Sequence, residues 1–196
     1  MRGPFGLPRQ ETSTRNRHGG LSYRGSHSRG PLVGVYWGRF NPPHKGHMEV
    51  IRRFSKKCRL VIAVGSSEQK DTRPNPFDGS ERVAMLRAYL REEHVHGVKV
   101  IAFRDGPSIE ADIDELVERS HADFLILSTE KRELSRIARK RVKVIGFRRR
   151  GSISSTRLRD LIASGSTSWK RLTGASVAGL VVRHRGLSRI REAYGR

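Results

Sequence analysis

The chain reads Leu32-Val33-Gly34-Val35-Tyr36-Trp37-Gly38-Arg39-Phe40-Asn41-Pro42-Pro43-His44-Lys45-Gly46-His47 where an apolar run gives way to a polar turn. The run Leu32–Trp37 is typical of a buried strand. Downstream, Met48, Ile51 and Phe54 recur every three residues, as on one face of a helix. This stretch therefore predicts a strand, a turn and a helix in succession, with the polar residues in the turn.

Strand and helix patterns continue to alternate through the rest of the chain. The apolar runs of strand type are Leu32–Trp37, Leu60–Gly65, Val98–Phe103, Phe124–Leu127 and Val142–Phe147. Helical patterns separate these runs, and from Ser154 onward every pattern is helical. This order predicts an α/β fold of the Rossmann-like, doubly wound type, with a five-stranded parallel sheet and C-terminal helices. Ligands of such sheets bind at the carboxyl ends of the strands, so we expect the loops there to form the site.

The turn after the first strand carries groups that suit a phosphate ligand. A helix start presents unpaired N–H groups and a partial positive charge. His44 and His47 are three residues apart and share a helix face. Arg39 and Lys45 add cationic donors for phosphate oxygens. Gly46, between the histidines, allows a close approach of backbone and ligand.

Each of these residues also has a plainer interpretation. A glycine and two prolines after a strand are typical of a turn, and two histidines at this spacing could bind a metal. The only cysteine, Cys58, lies outside the motif, and we predict no metal held by protein ligands. The chain also lacks the Gly-x-x-x-x-Gly-Lys and Gly-x-Gly-x-x-Gly phosphate-binding patterns. The combination of residues in one short window is what favours a phosphate site.

A second polar group opens the predicted C-terminal helices, in Ile153-Ser154-Ser155-Thr156-Arg157-Leu158-Arg159. Ser154 or Ser155 suits the N-cap of a helix. Arg159 lies three residues after Thr156 and four after Ser155, so these three side chains can face one anion. We predict that this segment both caps a helix and contributes to the phosphate site.

The composition indicates anionic partners. The 196 residues carry a formal net charge of +21, which suits nucleotide phosphates or nucleic acid. Six arginines and one glutamate give residues 1–30 only +5 of this charge, and their Gly, Ser and Arg content predicts a disordered basic tail. Residues 31–196 are predicted to fold as one domain. A single cysteine and apolar runs too short to span a bilayer predict a cytoplasmic protein with no membrane contact.

The two polar motifs together resemble those of a known superfamily. The segments Gly38–His47 and Ile153–Arg159 are similar to the His-x-Gly-His and Ser-Ser-Thr-x-x-Arg signatures of nucleotidyltransferases. Within that superfamily, Gly65-Ser66 and Asn75-Pro76-Phe77 resemble the archaeal type of nicotinamide mononucleotide adenylyltransferase. The resemblance implies that residues 31–196 are a nucleotidyltransferase domain. It would join ATP to nicotinamide mononucleotide or nicotinate mononucleotide to give NAD and pyrophosphate.

The resemblance also implies which residues form the site. His44, His47 and Arg159 would be catalytic, holding the triphosphate and the transition state at the α-phosphate. Nucleotide binding would fall to Gly38, Arg39, Phe40, Asn41, Lys45, Ser128, Ser155 and Thr156. Mg²⁺ is the expected cofactor, bound through the phosphates of ATP. A phosphate monoester is already an anionic nucleophile, so the reaction needs no general base.

The identity of the acceptor is left open by the sequence. The archaeal enzymes carry a tryptophan after the third strand that stacks on the pyridine ring, whereas Arg104–Ser120 contains no aromatic residue. The sequence Asn41-Pro42-Pro43-His44 is more similar to the corresponding motif of the bacterial nicotinate mononucleotide enzymes. FMN, phosphopantetheine and a polyol phosphate are alternative acceptors within the superfamily.

Two other classes of protein fit part of the pattern. The net charge fits a basic nucleic-acid-binding protein, although aromatic residues, at 7%, are too few and scattered to favour stacking on single strands. A fragment of a class I aminoacyl-tRNA synthetase would share the His-Lys-Gly-His motif but fits the Ser-Ser-Thr motif less well. We expect ATP and a phosphate-bearing small molecule as partners, and a homo-oligomeric state.

Overall fold

The protein is built around one parallel sheet. A computed structural model describes residues 30–148 and 151–195. The disordered tail predicted for residues 1–30 lies outside the described residues, apart from Gly30. The strands are β1 (Val33–Gly38), β2 (Arg59–Val64), β3 (Lys99–Ala102), β4 (Phe124–Ser128) and β5 (Lys143–Phe147). Each strand overlaps the apolar run that predicted it.

The strand order explains where a ligand can enter. Within the described chain the strands form one sheet in the order β3-β2-β1-β4-β5, and every neighbouring pair is parallel. On β1, Gly34 lies opposite Leu60 on one side and Phe124 on the other. The order therefore reverses between β1 and β4, and such a reversal leaves a crevice at the carboxyl ends of the strands. The predicted doubly wound fold is confirmed.

Helices cover both faces of the sheet. They are α1 (Lys45–Ser55), α2 (Gly79–Glu92), α3 (Ile109–Ser120), α4 (Arg132–Ala138), α5 (Ser155–Ala163), α6 (Ala175–Arg183) and α7 (Gly186–Ala193), with a 3₁₀ turn at Ser168–Leu172. Side chains alternate along β1, so Tyr36 packs into the core under α1, α2 and α5–α7, and Val35 into the core under α3 and α4. Among the described helices, none has the length and apolar content needed to cross a membrane.

Side-chain caps fix the starts of α2 and α5, among other helices. At α2, Asp78 Oδ1 accepts the N–H of Glu81 at 2.9 Å, and Glu81 Oε2 accepts the N–H of Asp78 at 2.9 Å. This is the capping box that the spacing of the two acids indicates. At α5, Ser154 Oγ accepts the N–H of Arg157 at 3.1 Å, so Ser154 is the cap. Both helix starts were readable from the sequence because a cap is a local interaction.

Arg82, on α2, fastens the loops that follow β1 and β2. Its side chain is fully buried. It donates to the carbonyl oxygens of Arg39 at 2.8 Å, Gly65 at 2.8 Å, Ser66 at 2.7 Å and Asp78 at 3.0 Å. Burial lowers the pKa of Arg82 to about 10, which still leaves the guanidinium charged at neutral pH. One cation thus holds both loops at the carboxyl edge of the sheet.

The last helix fastens the loop between β2 and α2. Arg189 on α7 donates to Asp71 Oδ1 at 2.8 Å and to Glu81 Oε1 at 2.6 Å. The guanidinium of Arg73 lies 4.4 Å from the centroid of the Tyr194 ring. These contacts hold the loop where Pro74 can line the cavity at the carboxyl edge of the sheet.

Candidate active site

His44 and His47 form a reciprocal pair at the start of α1. Nδ1 of His44 accepts the N–H of His47 at 3.3 Å, and Nδ1 of His47 accepts the N–H of His44 at 3.2 Å. The two imidazole rings stack, with centroids 3.6 Å apart and planes inclined by 24°. The histidine motif therefore builds its own capping box, a role more often filled by serine and glutamate.

These hydrogen bonds determine which ring nitrogen carries the proton. A nitrogen that accepts an N–H has no hydrogen of its own, so each neutral ring is protonated at Nε2. Nε2 lies on the side of the ring opposite the backbone amides that Nδ1 binds. In its neutral form each ring can therefore donate only through Nε2.

Rings and a glycine support this arrangement. The Phe40 ring lies 4.8 Å from the ring of His47 and packs edge-on against Tyr36 at 5.1 Å. A Cβ placed on Gly46 would stand 3.2 Å from Nδ1 of His44. The predicted close approach at Gly46 is therefore an approach of the His44 ring to the helix backbone.

The second motif supports the first. Ser155 Oγ donates to the carbonyl oxygen of Pro42 at 2.9 Å. Arg159 donates to the carbonyl oxygen of Asn41 at 2.8 Å and to Thr156 Oγ1 at 3.2 Å. Arg159 is only 6% exposed, and burial lowers the pKa of its guanidinium. The side chains of Ser155 and Arg159 therefore hold the turn that leads into α1, in addition to lining the cavity.

Asn41 and Ser128 are also held by the protein. The amide of Asn41 donates to the carbonyl oxygen of Phe77 at 2.9 Å, and its oxygen accepts the N–H of Phe77 at 3.3 Å. The Ser128 hydroxyl, at the end of β4, accepts the N–H of Glu130 at 3.4 Å. Asn41 thus joins the turn after β1 to the segment before α2, and Ser128 orders the loop after β4.

A cavity of about 170 Å³ brings the predicted site residues together, and we call it the central cavity. It is lined by Gly38, Arg39, Phe40, Asn41, His44, His47, Ser128, Ser155, Thr156 and Arg159. Further lining residues are Tyr36, Trp37, Pro74, Lys131, Phe147 and Ser154. The cavity lies at the carboxyl edge of the sheet, in the crevice that the strand order creates. Of the predicted residues, only Lys45 does not line it.

Two further chambers adjoin the central cavity. The first, the aromatic chamber, has a volume of about 290 Å³ and shares Tyr36, His44, His47 and Phe147 with the central cavity. It is completed by Gly46, Glu49, Val50, Arg53, Phe54, Arg148 and Ile153.

The second chamber, which we call the acidic chamber, has a volume of about 460 Å³ and shares Trp37, Gly38, Arg39 and Lys131 with the central cavity. It is completed by Gly65, Ser66, Asp105, Gly106, Ser108, Ile109, Asp112 and Leu134.

Several lining residues were not identified from the sequence. Trp37 packs edge-on against Phe103 at 5.9 Å, and a Cβ on Gly65 would stand 2.7 Å from its Nε1, so this glycine makes room for the indole. Trp37 therefore supplies an aromatic side chain to the acidic chamber, whereas Arg104–Ser120 contains none. Tyr36 and Phe147 lie in apolar runs that the sequence predicted as strands, without a role in the site. Lys131 could have been identified as a lining residue from its position in the loop just after β4.

Lys45 lies elsewhere on the surface. It is exposed and lines a groove with Glu92, Glu93 and Lys170, away from the central cavity. The physical reason is helical direction: Lys45 follows the cap, so its side chain leaves α1 on a different side from His44 and His47. The sequence placed Lys45 among the nucleotide-binding residues, and in the structure its side chain lines this groove instead of the central cavity.

We expect Lys45→Ala to change the KM for ATP by less than about twofold, because substitutions of exposed residues usually cost roughly 0.5 kcal/mol or less. Arg39→Ala is the matched comparison, since Arg39 is also a cation of this motif but lines the central cavity. It should raise the KM for ATP by about tenfold or more, because hydrogen bonds to charged groups contribute about 1.5–3 kcal/mol. Steady-state kinetics of both variants decide the point, and equal effects would return Lys45 to the site.

Protein ligands for a metal do not gather at this site. Among residues 30–148 and 151–195, no group of three or more His, Cys, Asp or Glu side chains is placed to hold a metal ion. Magnesium often binds through phosphate oxygens and water with few protein ligands.

The sequence matches a known protein family and several named proteins. Residues 35–161 match the cytidylyltransferase-like family. The chain therefore belongs to the cytidylyltransferase-like family and is a nucleotidyltransferase. Over most of its length it is similar to archaeal proteins named nicotinamide-nucleotide adenylyltransferase. That of Pyrobaculum arsenaticum is 32% identical over 166 residues, covering 82% of this chain and 93% of the relative. That of Sulfurisphaera tokodaii is 31% identical over 163 residues, covering 81% and 95%.

Solved structures share the fold. A bifunctional NMN adenylyltransferase/ADP ribose pyrophosphatase from Francisella tularensis, complexed with AMP and a manganese ion, superposes with a TM-score of 0.64 at 16% identity. The match covers 83% of this chain and 52% of that bifunctional protein. The nicotinic acid mononucleotide adenylyltransferase of Plasmodium falciparum, complexed with NaAD, superposes with a TM-score of 0.61 at 11% identity, covering 81% and 98%. At these identities the likeness concerns the fold.

Proposed function

We propose that the protein transfers the adenylyl group of ATP to nicotinamide mononucleotide or nicotinate mononucleotide, giving the dinucleotide and pyrophosphate. The observation that carries this proposal is the position of the stacked His44–His47 pair. It lines the central cavity, which adjoins one chamber on each side. The archaeal relatives named nicotinamide-nucleotide adenylyltransferase support the choice of substrates.

The three spaces suit the three parts of the reacting pair. The aromatic chamber offers the rings of Tyr36, Phe54 and Phe147 to the adenine. The central cavity, with His44 and His47 in its lining, would receive the triphosphate. The acidic chamber would receive the acceptor, whose phosphate then lies at the shared boundary between the chambers. The acceptor phosphate would then lie beside the α-phosphate, as an attack on the α-phosphorus requires, and the pyrophosphate would leave on the opposite side.

The chemistry needs alignment and charge stabilisation. An oxygen of the acceptor phosphate forms a bond to the α-phosphorus, and the bond from the α-phosphorus to the bridging oxygen breaks, so pyrophosphate leaves with the electron pair. The acceptor phosphate is anionic, so no residue has to remove a proton from it. His44 and His47 donate from Nε2 to the oxygens on which negative charge builds up. Arg39, Lys131 and Thr156 add donors, and Arg159 holds the turn that positions the histidines.

Mg²⁺ is the proposed metal, although a solved relative contains manganese. The ion would neutralise charge on the triphosphate and on the departing pyrophosphate. The arrangement of residues around the central cavity fits this role, because it supplies cations and hydroxyls rather than a carboxylate cage.

The direct test is an assay of pyrophosphate release. The purified protein is incubated with ATP, Mg²⁺ and one acceptor at a time: nicotinamide mononucleotide, nicotinate mononucleotide, FMN or phosphopantetheine. Release with a pyridine mononucleotide, together with formation of the dinucleotide, is the expected result. Release only with FMN or phosphopantetheine, or only with CTP in place of ATP, would contradict the proposed substrates while retaining nucleotidyl transfer.

Three further predictions from the sequence remain proposals. The single Cys58 underlies the cytoplasmic location, and the net charge of +21 leaves nucleic acid as a partner that the sequence does not favour. A homo-oligomeric state is the third, and sedimentation of the purified protein would measure it directly.

A further inference from the structure

The acidic chamber has charges of opposite sign at its two ends. Arg39 and Lys131 lie at the boundary that it shares with the central cavity. Asp105 and Asp112 lie in the part that is not shared. A ligand that fills the chamber therefore meets cations where it enters and carboxylates where it ends.

Asp112 is a buried residue that lines the acidic chamber. It lies on α3 and is 5% exposed. Its Oδ1 accepts the N–H of Gly106 at 2.6 Å, which is the only hydrogen bond that it receives from the described residues. A Cβ on Gly106 would stand 2.8 Å from Oδ1, so the glycine allows this contact. Oδ2 receives no hydrogen bond from the described residues.

Asp112 forms no ion pair with a cation of the described residues, whereas Asp105 lies within electrostatic reach of the buried guanidinium of Arg82. Asp105 accepts the N–H of Ser66 at 2.8 Å and the amide of Gln69 at 3.3 Å, and both donors are uncharged. No Lys or Arg side chain of the described residues forms an ion pair with Asp105 or Asp112. The negative charge of Asp112 thus acts on whatever occupies the chamber.

The surroundings already resist additional negative charge. The pKa of the Asp112 carboxyl is raised because burial disfavours its ionised form, and because Asp105, Glu115 and Glu68 add negative potential. A carboxylate carried by a ligand into the same place would meet the same potential. A cationic ring or an N–H donor would be attracted by it.

We propose that Asp112, assisted by Asp105, makes the enzyme select nicotinamide mononucleotide over nicotinate mononucleotide; this inference rests on the proposed function. Both nucleotides carry a phosphate for Arg39 and Lys131 and a positively charged pyridinium. Only the nicotinamide form ends in a neutral carboxamide, whose N–H can donate to a carboxylate. The nicotinate form ends in a carboxylate, which Asp112 and Asp105 repel.

The test compares the two acceptors in the unaltered enzyme and in Asp112→Asn. We expect the unaltered enzyme to favour nicotinamide mononucleotide by at least about tenfold in kcat/KM, since facing like charges are strongly unfavourable. Asp112→Asn keeps an oxygen for the Gly106 N–H and removes the charge. It should lower this preference by about tenfold, mainly through a lower KM for nicotinate mononucleotide, with the KM for ATP unchanged.

A control variant and a second charge-removing variant accompany Asp112→Asn in the test. Asp114→Asn is the matched control, because Asp114 lies on the same helix but is exposed and pairs with Arg141 at 3.1 Å. It should leave the preference as it is. Asp105→Asn, which keeps an oxygen for the Ser66 N–H, should shift the preference in the same direction as Asp112→Asn and replaces that variant if it does not fold.

The outcomes separate this inference from the function on which it rests. If the unaltered enzyme makes no dinucleotide from ATP with either pyridine nucleotide, the proposed function is wrong. If it uses both acceptors equally well, or if the preference is unchanged in both Asp112→Asn and Asp105→Asn, the inference is wrong and the proposed function stands.

Discussion

His47→Ala is expected to lower kcat by about 100-fold or more, corresponding to roughly 2.7 kcal/mol of lost transition-state stabilisation. The reason is that His47 Nε2 is held, through the hydrogen bond at Nδ1, to donate toward the α-phosphate. The alanine has no donor, and water cannot reproduce one that is already oriented. Single-turnover and steady-state kinetics with ATP and a pyridine mononucleotide provide the measurement.

The same substitution also removes part of a helix cap, so the two effects must be separated. Losing a cap costs about 1 kcal/mol of stability. His47→Asn keeps a side-chain oxygen where Nδ1 accepts the N–H of His44 but has nothing at the Nε2 position. It should restore most of the stability and none of the turnover. His96→Ala, an exposed histidine outside the site, is the neutral comparison, and near-normal turnover in His47→Ala would refute the role given to His47.

Arg82→Met should be the most destabilising substitution in the fold, lowering the free energy of unfolding by about 3 kcal/mol or more. The methionine can fill much of the space of the arginine stem, but it donates nothing. Four carbonyl oxygens, those of Arg39, Gly65, Ser66 and Asp78, would lose a charged donor in a buried setting. Each unsatisfied buried acceptor carries a desolvation cost of about 1–3 kcal/mol.

Urea unfolding curves of the unaltered protein, Arg82→Met and Arg87→Met would check this expectation. Arg87 lies on the same helix but is exposed, so its variant should stay within roughly 0.5 kcal/mol of the unaltered protein. Because the Arg82 side chain holds the loops after β1 and β2, the variant should also bind substrates less well under conditions where it remains folded. Similar unfolding midpoints for the two variants would show that the buried hydrogen bonds contribute little.

The parts of the fold that depend on local pattern were predictable. Each strand coincides with an apolar run, and the caps Asp78 and Ser154 are recognisable because their partners lie three residues away. The class of sheet followed from the alternation of strands and helices. The order β3-β2-β1-β4-β5, in contrast, depends on which strands pair with each other. The apolar pattern of a strand does not indicate which other strand lies beside it.

The sequence allowed the residues of the site to be predicted, but not their hydrogen-bond partners or the shape of the cavities around them. His44, His47 and the Ser-Ser-Thr segment are brought together as the motifs indicated. What each side chain does depends on residues more than one hundred positions away, as in the hydrogen bond from Arg159 to the carbonyl oxygen of Asn41. Lys45 was included for its charge, although its position next to His44 directs its side chain to a different side of α1. The chambers on either side form only when loops from different strands meet.

The strand order also sets the sequence of events during synthesis. β1, β2 and β3 are consecutive in the chain and can pair as soon as they leave the ribosome, whereas the contact of Val33 with Asp123, just before β4, spans 90 residues. Until then one edge of β1 remains open, and open edges are prone to pair with other chains. The crevice between β1 and β4 does not exist in this intermediate, so nucleotide binding should be among the last properties that a newly made chain acquires.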